Sequence, residues 1–286
     1  GNKIRKLEFD LAAAIEERAD CVVCGGVVQS NTGRQVAAAC AKLGIECHLG
    51  VMHGRLPRTE RGYDETGNIL LDRLYGAVIH DIPWDQDRNR RLRQIVEELR
   101  AAGRRPYLVP YGASDALGAL GYALAAEEIV AARPDAAWIV HGSGSAGTQA
   151  GLVAGLLALD HAAQVIGIDI DAEPERVGAD VRRVGREAAA LLGVEERWDD
   201  AKVEVAAGYS AGAYGLADAT TEEAIRLAAR LEGLALDPVY SGKGMAGLIG
   251  LARDGRFRRA DVVVFVHTGG SPGIFAYPET MARVSA

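Results

Sequence analysis

Three shortages narrow the chain before any motif does: it has no surplus of positive charge, no long apolar run and few cysteines. Lysine and arginine number 32 against 39 aspartates and glutamates, a formal charge of -7. A global basic field for nucleic acid or an anionic membrane is thereby excluded. Arg88, Arg90, Arg91 and Arg93 do cluster, but Asp85, Asp87, Glu97 and Glu98 flank them, which predicts a solvated helix face. No stretch reaches the ~20 apolar residues of a membrane span, and no secretory signal is visible. The four cysteines, Cys21, Cys24, Cys40 and Cys47, have spacings that no second Cys/His set completes into a zinc site. The C-x2-C pair sits in an apolar run rather than at a helix start, so buried structural thiols in a reduced, cytoplasmic setting are expected. HExxH and carboxylate clusters are also missing, so no metal is indicated.

What is present is an alternation. Short β-branched runs at 20–26, 46–52, 76–82, 105–110, 136–142, 163–170 and 260–270 are separated by amphipathic stretches such as 31–43, 88–102, 115–132 and 174–192. Strands that read as continuous apolar runs are covered on both faces, which is the signature of parallel sheets in an open α/β fold. The repetition breaks at YGASDALGAL (111–120), after four strands, which suggests passage from one sheet to a second. Ligands of open α/β sheets sit beyond the carboxyl ends of the strands. The segments to inspect are therefore 27–34, 111–117, 141–149, 169–175 and 267–273.

Among these, HGSGSAGTQAG (141–151) carries the strongest signal. Its glycines allow close backbone approach, and its N–H groups and hydroxyls can enclose a phosphate at a helix start. It is not a Walker loop and is too rich in hydroxyls for a dinucleotide fingerprint, though an ordinary strand–helix turn also fits. VVQSNTGRQ (27–35) places Gln29, Ser30, Asn31 and Thr32 at a strand end, suited to a substrate carboxylate or a cofactor hydroxyl, or to plain N-capping. In LDPVYSGKGMAGL (236–248), Asp237 and Pro238 shape a turn ahead of Tyr240 and Ser241. His267, in VHTGGSPG, reads as a satisfied core histidine, and Lys3 and Lys6 in GNKIRKLEF read by default as solvated. The residues alone support a phosphate-binding α/β protein.

Taken together and in this order, GNKIRKLEF, VQSN, GSAGTQAG, LDPVYSGKGMAGL and HTGG resemble the D-cysteine desulfhydrase and 1-aminocyclopropane-1-carboxylate deaminase family over nearly the whole chain. The resemblance implies a tryptophan-synthase-β-like fold (fold type II), with pyridoxal 5'-phosphate in the cleft between two open parallel-sheet domains. It implies a small domain at 7–115, a large one at 116–286 together with 1–6, and a homodimer. Lys3 becomes the lysine that bonds covalently to the cofactor and the base for the substrate's α-proton. Lys6, Ser145, Ala146, Gly147 and Thr148 become the phosphate cup, and Asn31 the partner of the ring hydroxyl. Gln29, Ser30, Asn31 and Thr32 would clamp the substrate carboxylate, with Tyr214 and Tyr240 near the substrate and Tyr240 in proton handling. The family carries a further strand-bearing segment before GNK, and none stands ahead of Gly1 here.

The branch is read from two positions. The deaminase pattern has Glu after the tyrosine of DPVY and Leu in H-L-G-G; here these are Ser241 and Thr268, as in the desulfhydrase pattern. Ser241 is expected to face the pyridine nitrogen as a neutral group, which suits β-elimination of a good leaving group, with Thr268 beside the cofactor. The leading expectation is elimination on D-cysteine, giving pyruvate, ammonia and sulfide. Thr32-Gly33 departs from the desulfhydrase pattern after QSN. That leaves open L-cysteate or another β-substituted amino acid, cyclopropane deamination, and a binding protein that has lost turnover.

Overall fold

The computed structural model describes residues 1–56 and 59–286. Strands β1 (Cys21–Val27), β2 (Glu46–His53), β3 (Val78–Pro83) and β4 (Pro106–Leu108) form one sheet in the order β3-β2-β1-β4. Strands β5 (Ala136–Ser143), β6 (Gln164–Asp169), β7 (Glu204–Ala206) and β8 (Val262–Phe265) form a second in the order β7-β6-β5-β8. Every pairing is parallel, and the chain leaves the first sheet after β4, as the break at 111–120 predicts. All seven residues of β1 are buried, as a central strand covered on both faces requires.

Helices α1 (Lys3–Glu16), α2 (Asn31–Leu43), α3 (Gly67–Leu74), α4 (Arg88–Ala101) and α5 (Ala116–Ala132) accompany the first sheet and the crossing between sheets. Helices α6 (Gly147–Ala158), α7 (Pro174–Leu191), α8 (Ala219–Glu232), α9 (Ser241–Arg253) and α10 (Pro278–Ser285) follow. α1 is one continuous helix, so the expected boundary between residues 6 and 7 falls inside it. It docks on α5 at Gly121, where an ideal Cβ would lie 2.1 Å from the Arg5 carbonyl oxygen. Only a glycine lets the two backbones approach so closely, and that approach carries the first turn of α1 to the second sheet.

Four sequence readings change. β7 has three residues after two short 3-10 turns, too short for a periodic signal. His267 is exposed, its ring held by the Gly269 amide and the Ala235 carbonyl, and so is not a core histidine. Arg88 is not a member of a solvated face. Its stem crosses β1 beside Gly25 and its guanidinium stacks 3.9 Å from the Tyr111 ring centroid. Lys3 and Lys6 are buried rather than solvated. The four cysteines are free and buried, as expected.

Candidate active site

The site begins with helical periodicity. Lys3, Lys6 and Asp10 are separated by three and four residues, so all three share the face of α1 that packs inward. The Lys3 ammonium donates to Ser145 Oγ at 2.8 Å. Lys6, with no exposed surface, donates to Ser114 Oγ at 3.0 Å and to the Gly112 carbonyl at 3.3 Å. Burial pushes the Lys3 ammonium down to about 8, and burial together with the Lys3 charge holds Lys6 well below the usual lysine range.

The turn from β5 into α6 completes a cup. Ser114 Oγ lies 3.0 Å from Ser145 Oγ and accepts the Gly147 amide at 3.3 Å. Asn2 donates to Thr148 Oγ1 at 3.1 Å. Ala146, just before the helix, holds φ at 71°, a left-handed conformation strained for a residue with a Cβ and typical of backbone held in place for function. At Gly147 an ideal Cβ would come within 2.9 Å of Lys6 Nζ, so a side chain there would fill the space that the donors surround. Converging N–H groups, hydroxyls and an ammonium at a helix start suit a phosphate.

The opposite wall is the start of α2. Ser30 caps that helix, accepting the Gly33 amide at 3.1 Å, and lines the cleft with Asn31 and Thr32. Asn31 Oδ1 is buried and accepts no hydrogen bond. Gln29 lies elsewhere. Its amide donates to the Tyr63 and Thr66 carbonyls at 2.6 and 2.9 Å and accepts the Asn68 amide at 2.9 Å, which fastens β1 to the start of α3. With donor and acceptor both engaged, it has no group left for a substrate carboxylate.

The remaining wall joins Tyr214, Tyr240 and Thr268. The two phenol oxygens are 2.5 Å apart and the rings meet edge-on. Burial holds both phenols well above the ordinary tyrosine range. The Arg55 guanidinium covers the Tyr214 ring at 4.0 Å and pairs with Asp171 at 3.0 Å. Arg176 takes the other Asp171 oxygen at 2.9 Å. Thr268 lines the cleft; Ser241 does not. The Ser241 hydroxyl donates to Asp237 Oδ1 at 2.6 Å and accepts the Asp237 amide at 2.9 Å, so it serves the turn that starts α9. With its proton given to Asp237, the Ser241 hydroxyl has none to offer the ring nitrogen it was expected to face, whereas Thr268 lies in the cleft lining.

Lys3, Ser30, Asn31, Thr32, Ser145, Ala146, Thr148, Tyr214, Tyr240 and Thr268 therefore meet in one cleft between the carboxyl ends of the two sheets, with Lys6 and Gly147 directly beneath it. Asn2, Gly112, Ser114 and Asp171 were not singled out by sequence. The last three stood inside the strand-end segments 111–117 and 169–175, which was their only signal. Pyridoxal phosphate fits this donor set: the cup suits its phosphate, the unpartnered Asn31 oxygen its ring hydroxyl, and the Lys3 amine its aldehyde.

Comparison with known proteins agrees. The family of pyridoxal-phosphate dependent enzymes matches residues 1–269. A 1-aminocyclopropane-1-carboxylate deaminase of Burkholderia multivorans is 41% identical, covering 99% of this chain and 85% of that protein. A D-cysteine desulfhydrase of Yersinia enterocolitica is 40% identical, covering 97% and 84%. The crystal structure of an ACC deaminase homologue superposes with a TM-score of 0.89 at 34% identity, covering 99% of this chain and 84% of that one. An aspartate racemase at 15% identity and TM-score 0.65 shares the fold alone. The chain belongs to the pyridoxal-phosphate dependent enzymes, in the lyase family that holds the 1-aminocyclopropane-1-carboxylate deaminases and the D-cysteine desulfhydrases.

Proposed function

We propose that the protein eliminates the β-substituent of a small amino acid, with D-cysteine as the leading substrate. D-Cysteine and water then give pyruvate, ammonia and hydrogen sulfide. One observation carries the choice: Thr268 lines the cleft, and the one acidic residue among its described lining residues, Asp171, is occupied by Arg55 and Arg176. No free carboxylate among the described cleft residues is placed to hold a ring nitrogen protonated, so the site suits a good leaving group rather than an unactivated ring carbon.

Each residue has a task. Bound pyridoxal phosphate supplies the electron sink that makes the α-proton acidic. Lys6, Ser114, Ser145, Gly147 and Thr148 hold the phosphate, and Asn31 the ring hydroxyl. The Ser30 hydroxyl and the amides at the start of α2 bind the substrate carboxylate, where the helix dipole favours an anion. Lys3, its pKa pulled down to about 8, takes the α-proton at Nζ. Tyr240, neutral and hydrogen-bonded to Tyr214, delivers a proton to the departing sulfur. The same reading carries a homodimer, which sedimentation checks.

The test incubates the cofactor-loaded protein separately with D-cysteine, L-cysteate and 1-aminocyclopropane-1-carboxylate. Pyruvate from D-cysteine is the expected product. Pyruvate from L-cysteate alone moves the substrate to a β-sulfonate, and a four-carbon oxo acid from the cyclopropane overturns the elimination reading.

A further inference from the structure

Lys243 took no part in the sequence reading, and the site as described does not use it. It has no exposed surface. Its ammonium donates to three backbone carbonyls: Ser210 at 2.6 Å, Ala213 at 2.8 Å and Ile170 at 3.1 Å. Three acceptors use all three N–H bonds of an ammonium, whereas a neutral amine has only two. Asp169 and Asp171 on the β6 end, Asp218 before α8 and Asp237 before α9 favour its charge from further away, against burial that lowers it. Asp237 itself is taken up by the amides of Val239, Tyr240 and Ser241.

Each carbonyl belongs to the residue next to a cleft residue or to the loop that leads to one. Ile170 precedes Asp171, Ala213 precedes Tyr214, and Lys243 stands one helical turn after Tyr240. The loop at 210–215 has left-handed backbone at Ala211, Gly212 and Gly215, of which Ala211 alone carries a Cβ and needs support from the structure around it. One buried cation thus ties together three elements that each deliver a wall of the cleft.

We propose that Lys243 is a positioning residue whose ammonium acts as a built-in monovalent cation, holding the Ser210–Tyr214 loop and the β6 end so that the Tyr214 and Tyr240 hydroxyls meet over the substrate. The proposal rests on Tyr240 as the group that handles the leaving-group proton. Its signature is replaceability: with the side chain removed, the three carbonyls form an oxygen-lined site that a small cation can fill. A residue needed only for packing is not replaced by an ion.

The experiment compares cofactor-loaded wild type and Lys243→Ala in potassium, methylammonium and tetramethylammonium chloride at equal ionic strength. It reads pyruvate formation from D-cysteine, the thermal midpoint and the ultraviolet titration of tyrosine. In tetramethylammonium, K243A is expected to lose about 10²-fold in kcat, the scale of a misplaced catalytic group, with little change in KM. Potassium or methylammonium should recover most of the loss and return the tyrosine titration toward wild type. A K243A protein with wild-type kcat overturns the proposal, and so does a loss that neither small cation reduces. If K243A does not fold, Lys243→Gln fills the space with an uncharged amide; kcat lost at an unchanged thermal midpoint then supports the proposal, and kcat retained overturns it. If the wild type releases no pyruvate, the elimination reading fails by itself, and the cation dependence of the tyrosine titration decides this one.

Discussion

Lys3 Nζ donates to Ser145 Oγ at 2.8 Å, which ties the first turn of the chain to the strand–helix turn of the second sheet. The amine proposed to join the cofactor is therefore held at the lip of the proposed phosphate cup, and its burial lowers its pKa to about 8. At pH 7 about a tenth of such an amine is unprotonated, against far below one per cent for a free lysine.

Cofactor loading onto the apoprotein should report that pKa. Only the neutral amine attacks an aldehyde, so the loading rate should rise about tenfold per pH unit below pH 8 and level off above it. Stopped-flow absorbance measures it. A rate still climbing beyond pH 9.5 would contradict the lowered pKa, and Lys3→Ala should bind the cofactor without covalent attachment.

Tyr240 and Tyr214 lie 2.5 Å apart, oxygen to oxygen, and burial raises both phenols, so the pair is neutral at pH 7 and, in the proposed elimination, is suited to donate a proton rather than to serve as a tyrosinate base. Tyr240→Phe removes the donor and should lower kcat by about 10²–10³-fold, with the bound cofactor's spectrum unchanged. Tyr214→Phe removes only the supporting hydrogen bond and should cost about tenfold, the equivalent of ~1.4 kcal/mol. Wild-type turnover in Tyr240→Phe would leave Lys3 as the sole proton-handling residue.

Much of this was legible in the sequence because strands and their trailing glycine segments have strong local patterns. The seven apolar runs became β1 to β6 and β8, and the polar segments after them became the cleft walls. What stayed hidden depends on contacts between distant residues. Nothing near Lys6 in the chain says that it reaches Ser114 and Gly112, more than a hundred residues away. Gln29 and Ser241 show the converse. Their side chains have the right chemistry for a ligand, but nearby turns take up their hydrogen bonds, through backbone at Gln29 and through the Asp237 amide and carboxylate at Ser241, and local sequence gives no sign of which partner wins.

That competition makes the contrast between Ser241 and Thr268 testable. Ser241→Ala removes a buried hydrogen bond to a carboxylate and should destabilise the fold by about 1.5–3 kcal/mol, leaving the cofactor spectrum as it was. Thr268→Val keeps the shape and removes the cleft hydroxyl, so it should shift the spectrum and lower turnover with little effect on the thermal midpoint. The reverse pattern, a spectral shift in Ser241→Ala alone, would restore Ser241 as the ring's neighbour.

Asp10 lies one turn beyond Lys6 on the same helix face, fully buried, with neither carboxylate oxygen hydrogen-bonded. Burial, and secondarily the charge of Asp115, raise its pKa to about 7, while Lys6 pulls the other way. An acid whose folded pKa exceeds its unfolded one leaves stability intact below the unfolded value and lowers it as pH rises toward the folded value. Between pH 4 and 7 the wild type should therefore lose stability, with an upper limit of about 4 kcal/mol for a shift of some three units. Asp10→Asn removes the titration but keeps the shape. Its thermal midpoint should match the wild type near pH 4 and exceed it by several degrees at pH 8, measured on apoprotein so that the phosphate does not mask the effect. Two midpoint curves that run parallel across that range would mean that Asp10 is ionised throughout and paired with the Lys6 charge.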